Sequence, residues 1–287
     1  LARHLCKAAE DGGEVEFVSE IAEPLILETT RRLLGWQAVP VEQLHRWSDV
    51  LARQIMRFDQ KENEKMIART AFAEFRDYLH EERERRMGAG NRREMAGDLF
   101  DALLAVEASG EIADADEFVG QCLLLLVNGM ETAPTFYASL VHRLIEDDEE
   151  CARLRADPTR IAGFVEECLR LDGSVPMMAR TVMQDFTLAG VTLRRGEVVL
   201  GLLAIANRDP AVFTDPDRFD AGRHPNPHLS FGRGPHRCLG SALSRLHASA
   251  LVGAFLDLAR LPEIPMAGWQ PHQKAAIMGP AKLILHF

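Results

Sequence analysis

The sequence predicts a mainly α protein with small β-sheets, on three observations. Across residues 1–171 apolar side chains recur every three or four positions, the spacing that lines one face of a helix. Glycine-bearing breaks such as Asp11-Gly12-Gly13 and Gly35 separate these runs. Alternation of apolar and polar residues is confined to short stretches beyond residue 175.

Residues 1–10 read as the end of a helix, with Leu1, Leu5, Ala8 and Ala9 on its apolar side. The chain opens with Leu inside that pattern, as a fragment would. Residues 17–34 form a second helix through Ile21, Leu25, Ile26, Thr29 and Leu33, stopped at Gly35. Residues 41–58 are a third, and residues 61–87 a long fourth. The charge run Glu81-Glu82-Arg83-Glu84-Arg85-Arg86 within it is expected to be a solvated face laced by i,i+4 pairs. Met87–Arg92 is a loop and 94–108 a short helix.

Residues 115–146 are helical, and Gln121–Val127 is apolar all round, as expected of a helix buried inside a domain. The cluster Asn128-Gly129-Met130-Glu131-Thr132 interrupts it. Polar groups in a buried helix cost stability unless compensated, so either the helix opens beside a cavity or it kinks with those groups satisfied. Ala162–Leu171 is a further helix, in which Glu167 and Arg170 share a face. Val175–Arg180 is extended, and residues 185–200 read as strand-turn-strand around Gly190 and Gly196. Loop-rich chain follows through Asn207, Pro216 and Arg223, a helix-compatible run spans Ser241–Leu258, and Ala275–Phe287 reads as a hairpin around Gly279-Pro280.

Of 287 residues 47% are hydrophobic and 26% charged, enough for a sizeable core and against global disorder. Length alone favours about two domains. A net charge of −10 argues against non-specific nucleic-acid binding. Five cysteines without a CxxC pair indicate a reducing compartment, not a disulfide scaffold. The longest apolar run, Cys122–Val127, is too short to span a membrane and no signal peptide is visible, so a cytoplasmic location is expected.

The segment with the most chemistry is Ser230-Phe231-Gly232-Arg233-Gly234-Pro235-His236-Arg237-Cys238-Leu239-Gly240. Its three glycines let the backbone take positive φ or approach a bulky ligand closely. Cys238 precedes a helix, whose exposed N–H groups favour a thiolate. Two other readings of these residues stand beside a ligating thiolate. One is an ordinary turn with a buried cysteine. The other is a zinc site from His224, His228, His236 and Cys238, although His-x-Cys is short for zinc spacing.

Phe-Gly-x-Gly-x-His-x-Cys-Leu-Gly resembles the cysteine-ligand loop of the cytochrome P-450 haem-thiolate enzymes. Asn128-Gly129-Met130-Glu131-Thr132 resembles that family's distal-helix stretch, with Asn128 where a small residue is usual. Glu167-Cys168-Leu169-Arg170 lies between the two, as in the family. Ordered together, these matches are far more specific than any one. They cover roughly residues 115–285, with 1–114 matching only as helix pattern.

The resemblance implies a cytochrome P-450 fold, N-terminally short, as a single haem domain over 1–287 with its motif-bearing core at 115–287. Family members are longer and begin with a β-rich region that is expected to be absent here, whether the chain is a fragment or a short relative. It implies haem b with Cys238 as axial iron ligand in a loop that includes Phe231, Gly232 and Gly240. Arg180 and His236 would meet the propionates, Glu131 and Thr132 would relay protons, and Glu167, Arg170 and Arg223 would form a structural salt-bridged network. The activity implied is a monooxygenase using O2, a small apolar organic substrate, and electrons from a ferredoxin or similar donor. The alternative is a protein of this fold without oxygen chemistry, a haem-less helper of another enzyme.

Overall fold

The computed structural model describes residues 1–10, 13–56, 61–88, 97–273 and 276–287. In chain order the elements are α1 (Ala2–Glu10), β1 (Glu14–Glu16), a π-helical turn (Val18–Ala22), α2 (Glu23–Leu33), α3 (Val41–Met56), α4 (Glu62–Gly88), α5 (Leu99–Ala108), α6 (Ala115–Val127), α7 (Thr132–Glu146), α8 (Asp148–Ala156) and α9 (Ile161–Asp172). Then come β2 (Met178–Thr181), β3 (Phe186–Leu188), β4 (Val191–Leu193), β5 (Val198–Gly201), α10 (Leu203–Ala206), a short 3₁₀ turn (Gly234–His236), α11 (Ser241–Leu256), β6 (Trp269–Pro271) and β7 (Pro280–His286). A mainly α protein with small sheets is what the periodicity predicts. None of the helices, among the described residues, is long and apolar enough to cross a membrane.

The chain packs as two compact units, residues 1–22 with 135–287, and residues 23–134. The boundary at Pro134 falls in the first turn of α7, where proline's missing N–H costs no helical bond.

In the 23–134 unit, Trp36, Trp47, Phe75, Phe100 and Phe118 are buried at the centre of one apolar cluster. Several meet edge to face, such as Phe100 and Phe118 with centroids 5.2 Å apart. Asp98 and Asp114 cap α5 and α6, accepting from the backbone N–H of Asp101 and Glu117 at 2.9 Å each. Two expectations are corrected here. The charge run of α4 is not wholly solvated: Glu82 is 7% exposed, and Arg86 joins it to Asp98, Asp101 and the Gly35 carbonyl while lying 4.6 Å over the Phe100 ring. Helical spacing made that face look free, but a distant loop and α5 fold onto it. Nor is α6 buried all round, because Leu124 is 46% exposed while Cys122, Leu126 and Val127 are buried. The loop expected at 87–92 and the start of the helix at 94 fall mostly outside the described residues, and Met87 and Gly88 belong to α4.

In the other unit, α11 packs against α1 and α9, with Phe17 and Phe255 in ring contact at 6.0 Å. The small sheets depart from the expected hairpins. β3 pairs with β4, but β5 crosses to pair with β2, matching Arg180 to Val199. The C-terminal hairpin expected within 275–287 is a single strand, β7, flanked by β6 and by β1. Three residues at Glu14–Glu16 are too few to carry an alternation signal, and only their pairing with Ile284–His286 makes them a strand.

Candidate functional site: a cysteine loop held from behind by two glutamates

Helix α9 supplies the base. Glu167 and Arg170 share a face one turn apart, and both side chains are fully buried. The guanidinium meets the carboxylate in a two-pronged pair, Nε to Oε2 at 2.9 Å and Nη2 to Oε1 at 2.7 Å. Its remaining N–H groups donate to the carbonyls of Asn207, Pro216 and Arg218 at 2.9, 2.6 and 3.2 Å, so all five donors are spent. Arg223 joins the same carboxylate at 3.1 Å and donates to the carbonyls of Thr214, Asp215 and Arg218. Burial alone would raise the Glu167 pKa, but hydrogen bonds from Arg170 and Arg223 outweigh it and hold the carboxyl below its ordinary value. Residues 207–226 contain little regular structure, so their carbonyls need such partners. Gly163 lets this region come close, since a Cβ there would run into the Ala221 carbonyl oxygen.

From that base the chain enters the cysteine loop. Asn207 accepts from the Leu229 N–H at 2.7 Å, and Ser230 Oγ donates to the Leu169 carbonyl at 2.6 Å. Gly173 leaves room for the serine, because a Cβ there would stand 3.0 Å from Ser230 Oγ. The loop then turns through Gly232 and Gly234, at φ +65° and +80°, conformations that a Cβ would strain. The Gly232 N–H donates to the Leu229 carbonyl at 2.8 Å, and the Cys238 N–H to the Phe231 carbonyl at 2.9 Å. Residues 233–240 are exposed, and α11 begins three residues after the cysteine.

Of the five cysteines only Cys238 is exposed. Burial pushes the thiols of Cys6 and Cys122 up to about 12, and Cys151 and Cys168 are also raised by burial. Cys238 is thus the sulfur this fold offers to a ligand. Beside it Leu239 is 85% exposed and, on α11, Leu246 is 64% exposed. The Cys238 thiol, the exposed Leu239 beside it and the exposed Arg233 and Arg237 of the same loop suit a flat, apolar, anionic metal complex. The zinc reading is corrected: among the described residues no group of three or more His, Cys, Asp and Glu is placed to hold a metal ion. The reason is local, since His228 Nε2 is engaged by Glu166 at 3.0 Å and its Nδ1 accepts from the Ser230 N–H at 3.3 Å.

The other expected site residues fall as follows. Arg180 is exposed on β2, its guanidinium donating to the Ala179 carbonyl at 2.8 Å, and His236 is exposed in the 3₁₀ turn of the loop. Both belong to the unit that carries Cys238. Glu131 and Thr132 lie in the 23–134 unit, where the helix does open: α6 ends at Val127 and α7 starts at Thr132. Thr132 Oγ1 donates to the Asn128 carbonyl at 3.3 Å.

Sequence reasoning missed Glu166, Arg245 and the anchoring use of His228. Arg245 donates to Glu166 at 2.5 and 2.9 Å and lies 4.6 Å over the Phe231 ring. Burial would raise Glu166, but hydrogen bonds from Arg245 and His228 prevail and bring it to about 2. The adjacent glutamates at 166 and 167 were the available signal, but spacing says nothing of partners some 60 to 80 residues away.

The helical fold and the presented thiol define a class: proteins that offer a cysteine sulfur to a ligand from a glycine loop before a helix. The family model for cytochrome P450 matches residues 41–282, and the chain belongs to that family, whose members bind haem. It is 33% identical over 273 residues to "Biotin biosynthesis cytochrome P450" of Bacillus subtilis (strain 168), spanning 93% of this chain and 65% of that protein's length. It is 34% identical over 260 residues to "Steroid C26-monooxygenase" of Mycobacterium tuberculosis (strain CDC 1551 / Oshkosh), spanning 91% and 68%. Among solved structures, P450BioI in complex with an acyl carrier protein ligated to hexadec-9Z-enoic acid superimposes with TM-score 0.85 at 31% identity, covering 100% of this chain and 72% of that one. CalO2 gives TM-score 0.88 at 31% identity, with 100% and 70% covered.

Proposed function

We propose that residues 1–287 act as one haem domain, with the motif-bearing core at 115–287, of a monooxygenase that inserts one atom of O2 into a small apolar organic substrate. Electrons come from a separate ferredoxin or similar donor, and the protein works in the cytoplasm. The observation that carries this reading is Cys238, the one exposed thiol of five, in a loop fixed behind and open in front. Names among the relatives support an apolar substrate, one being a steroid monooxygenase and another carrying a long-chain fatty acid in its complex.

Haem b would supply the oxygen activation, with electron donation from the Cys238 sulfur assisting it. Cys238 would be the residue that holds the haem iron. Phe231, Gly232 and Gly240 shape the loop, Gly232 through its positive φ of +65°. Arg180 and His236 would hold the propionates, which an arginine fork suits geometrically. Thr132 Oγ1 and the Glu131 carboxyl would serve as a short proton relay. Glu167, Arg170 and Arg223 hold the chain that supports the loop.

The test is the absorption spectrum of the dithionite-reduced protein with and without carbon monoxide. A strongly red-shifted Soret band is expected and should vanish in Cys238→Ser. Folded protein that takes up no haem, or a band indifferent to that change, would overturn the reading. For the relay, Thr132→Ala should keep haem while diverting electrons to peroxide, and unchanged coupling of electrons to product would remove Thr132 from it.

A further inference from the structure

We infer that Glu166 and Arg245 are positioning residues for Cys238, acting through Phe231 as a balanced charge pair that sets how electron-rich the sulfur is. The inference rests on the haem-thiolate reading above and adds residues to it. Glu166 closes the base of the loop. One carboxylate receives His228, on the strand of chain entering the loop, and Arg245, on the helix leaving it. Arg245 is held from two sides, by the carboxylate at 2.5 and 2.9 Å and by the Phe231 ring at 4.6 Å. The carbonyl of Phe231 in turn accepts from the Cys238 N–H at 2.9 Å. Carboxylate, guanidinium, aromatic ring and cysteine amide therefore form one chain of contacts. Arg245 is also close enough for its ionisation to be favoured by charge at Cys238.

The pair is half-shielded, with about 30% of each side chain exposed, so its field reaches the loop without being fully screened. Removing the cation leaves Glu166 as net negative charge beside the sulfur. Removing the anion leaves Arg245 as net positive charge. The first stabilises the oxidised metal and the second the reduced one. A purely mechanical role predicts something else, that loosening the loop from either side moves the site in the same direction.

The experiment uses the haem-loaded full chain and measures reduction potential together with the reduced, CO-bound Soret spectrum. Arg245→Gln should lower the potential and Glu166→Gln should raise it. Any result other than shifts of opposite sign overturns the inference. Arg245→Lys, a mild change with the same charge, tests the route through Phe231 if a glutamine variant does not fold. It loses the flat face on the ring, so a fraction of the CO complex should lose thiolate ligation, and a fraction equal to wild type removes that route. Wild-type protein without the red-shifted band overturns the haem reading and takes this inference with it, a result visible before any variant is compared.

Discussion

Residues 207–226 and the cysteine loop at 229–240 are both irregular chain resting on α9, yet they are held in opposite ways. The first is closed by its own ions. Arg170 and Arg223 reach in to satisfy carbonyl after carbonyl, and Glu167, with no exposed surface, pairs with both. The second is tied only at its root, through Asn207, Ser230, His228 and Arg245, and turns residues 233–240 outward. Neighbouring glutamates serve the two regions, Glu167 the buried one and Glu166 the half-exposed one. Rigidity is thus concentrated behind the site, and the chemistry is left on a face that a ligand can meet.

The sharpest way to break this contrast is Arg170→Met. It takes the two-pronged partner from a buried carboxylate and leaves several carbonyls without a donor, and should cost about 3–5 kcal/mol in denaturant unfolding. A loss near that of a surface substitution would erase the distinction between the two regions. Gly163→Ala comes next, forcing α9 and the Ala221 carbonyl apart at a cost of about 1–3 kcal/mol by the same measurement. Ser230→Ala removes the hydroxyl that bridges Asn207 and Leu169, for about 1–2 kcal/mol.

Acid should test the hold that Glu166 has on the root of the loop. Glu166 is lowered from an ordinary 4.5 to about 2, so its contribution is fully present above pH 4.5 and is lost as pH falls toward 2. The stability difference between wild type and Glu166→Gln should shrink across that window, and a difference independent of pH would mean that the Glu166 ion pairs do not hold the root of the loop. The smallest effect on unfolding belongs to Cys238→Ser, which should change stability by less than about 0.5 kcal/mol, as an exposed position does. A large loss there would mean that the loop is part of the packed scaffold after all.

The longer helices were legible because period 3.6 shows over several turns, and α3, α4 and α9 begin and end close to where the spacing places them, whereas α8 and the four-residue α10 were not read. The break at Asn128–Glu131 was legible too, as polar residues interrupting an apolar run. Strands β1 and β6, three residues each, were not, because their identity lies in what they pair with. The order of the Glu131-Thr132, Glu167-Arg170 and Cys238 stretches identified the family, since order is a property of the chain itself. Which ions meet is not such a property. Arg86 looked like a solvated residue and is enclosed, while Glu166 attracted no notice and holds the root of the cysteine loop. The sequence by itself determined the longer helices, the family and the single cysteine worth following. Only the tertiary structure decided which charges are buried and paired, because desolvation and long-range pairing depend on which distant segments come together, and spacing along a chain does not record that.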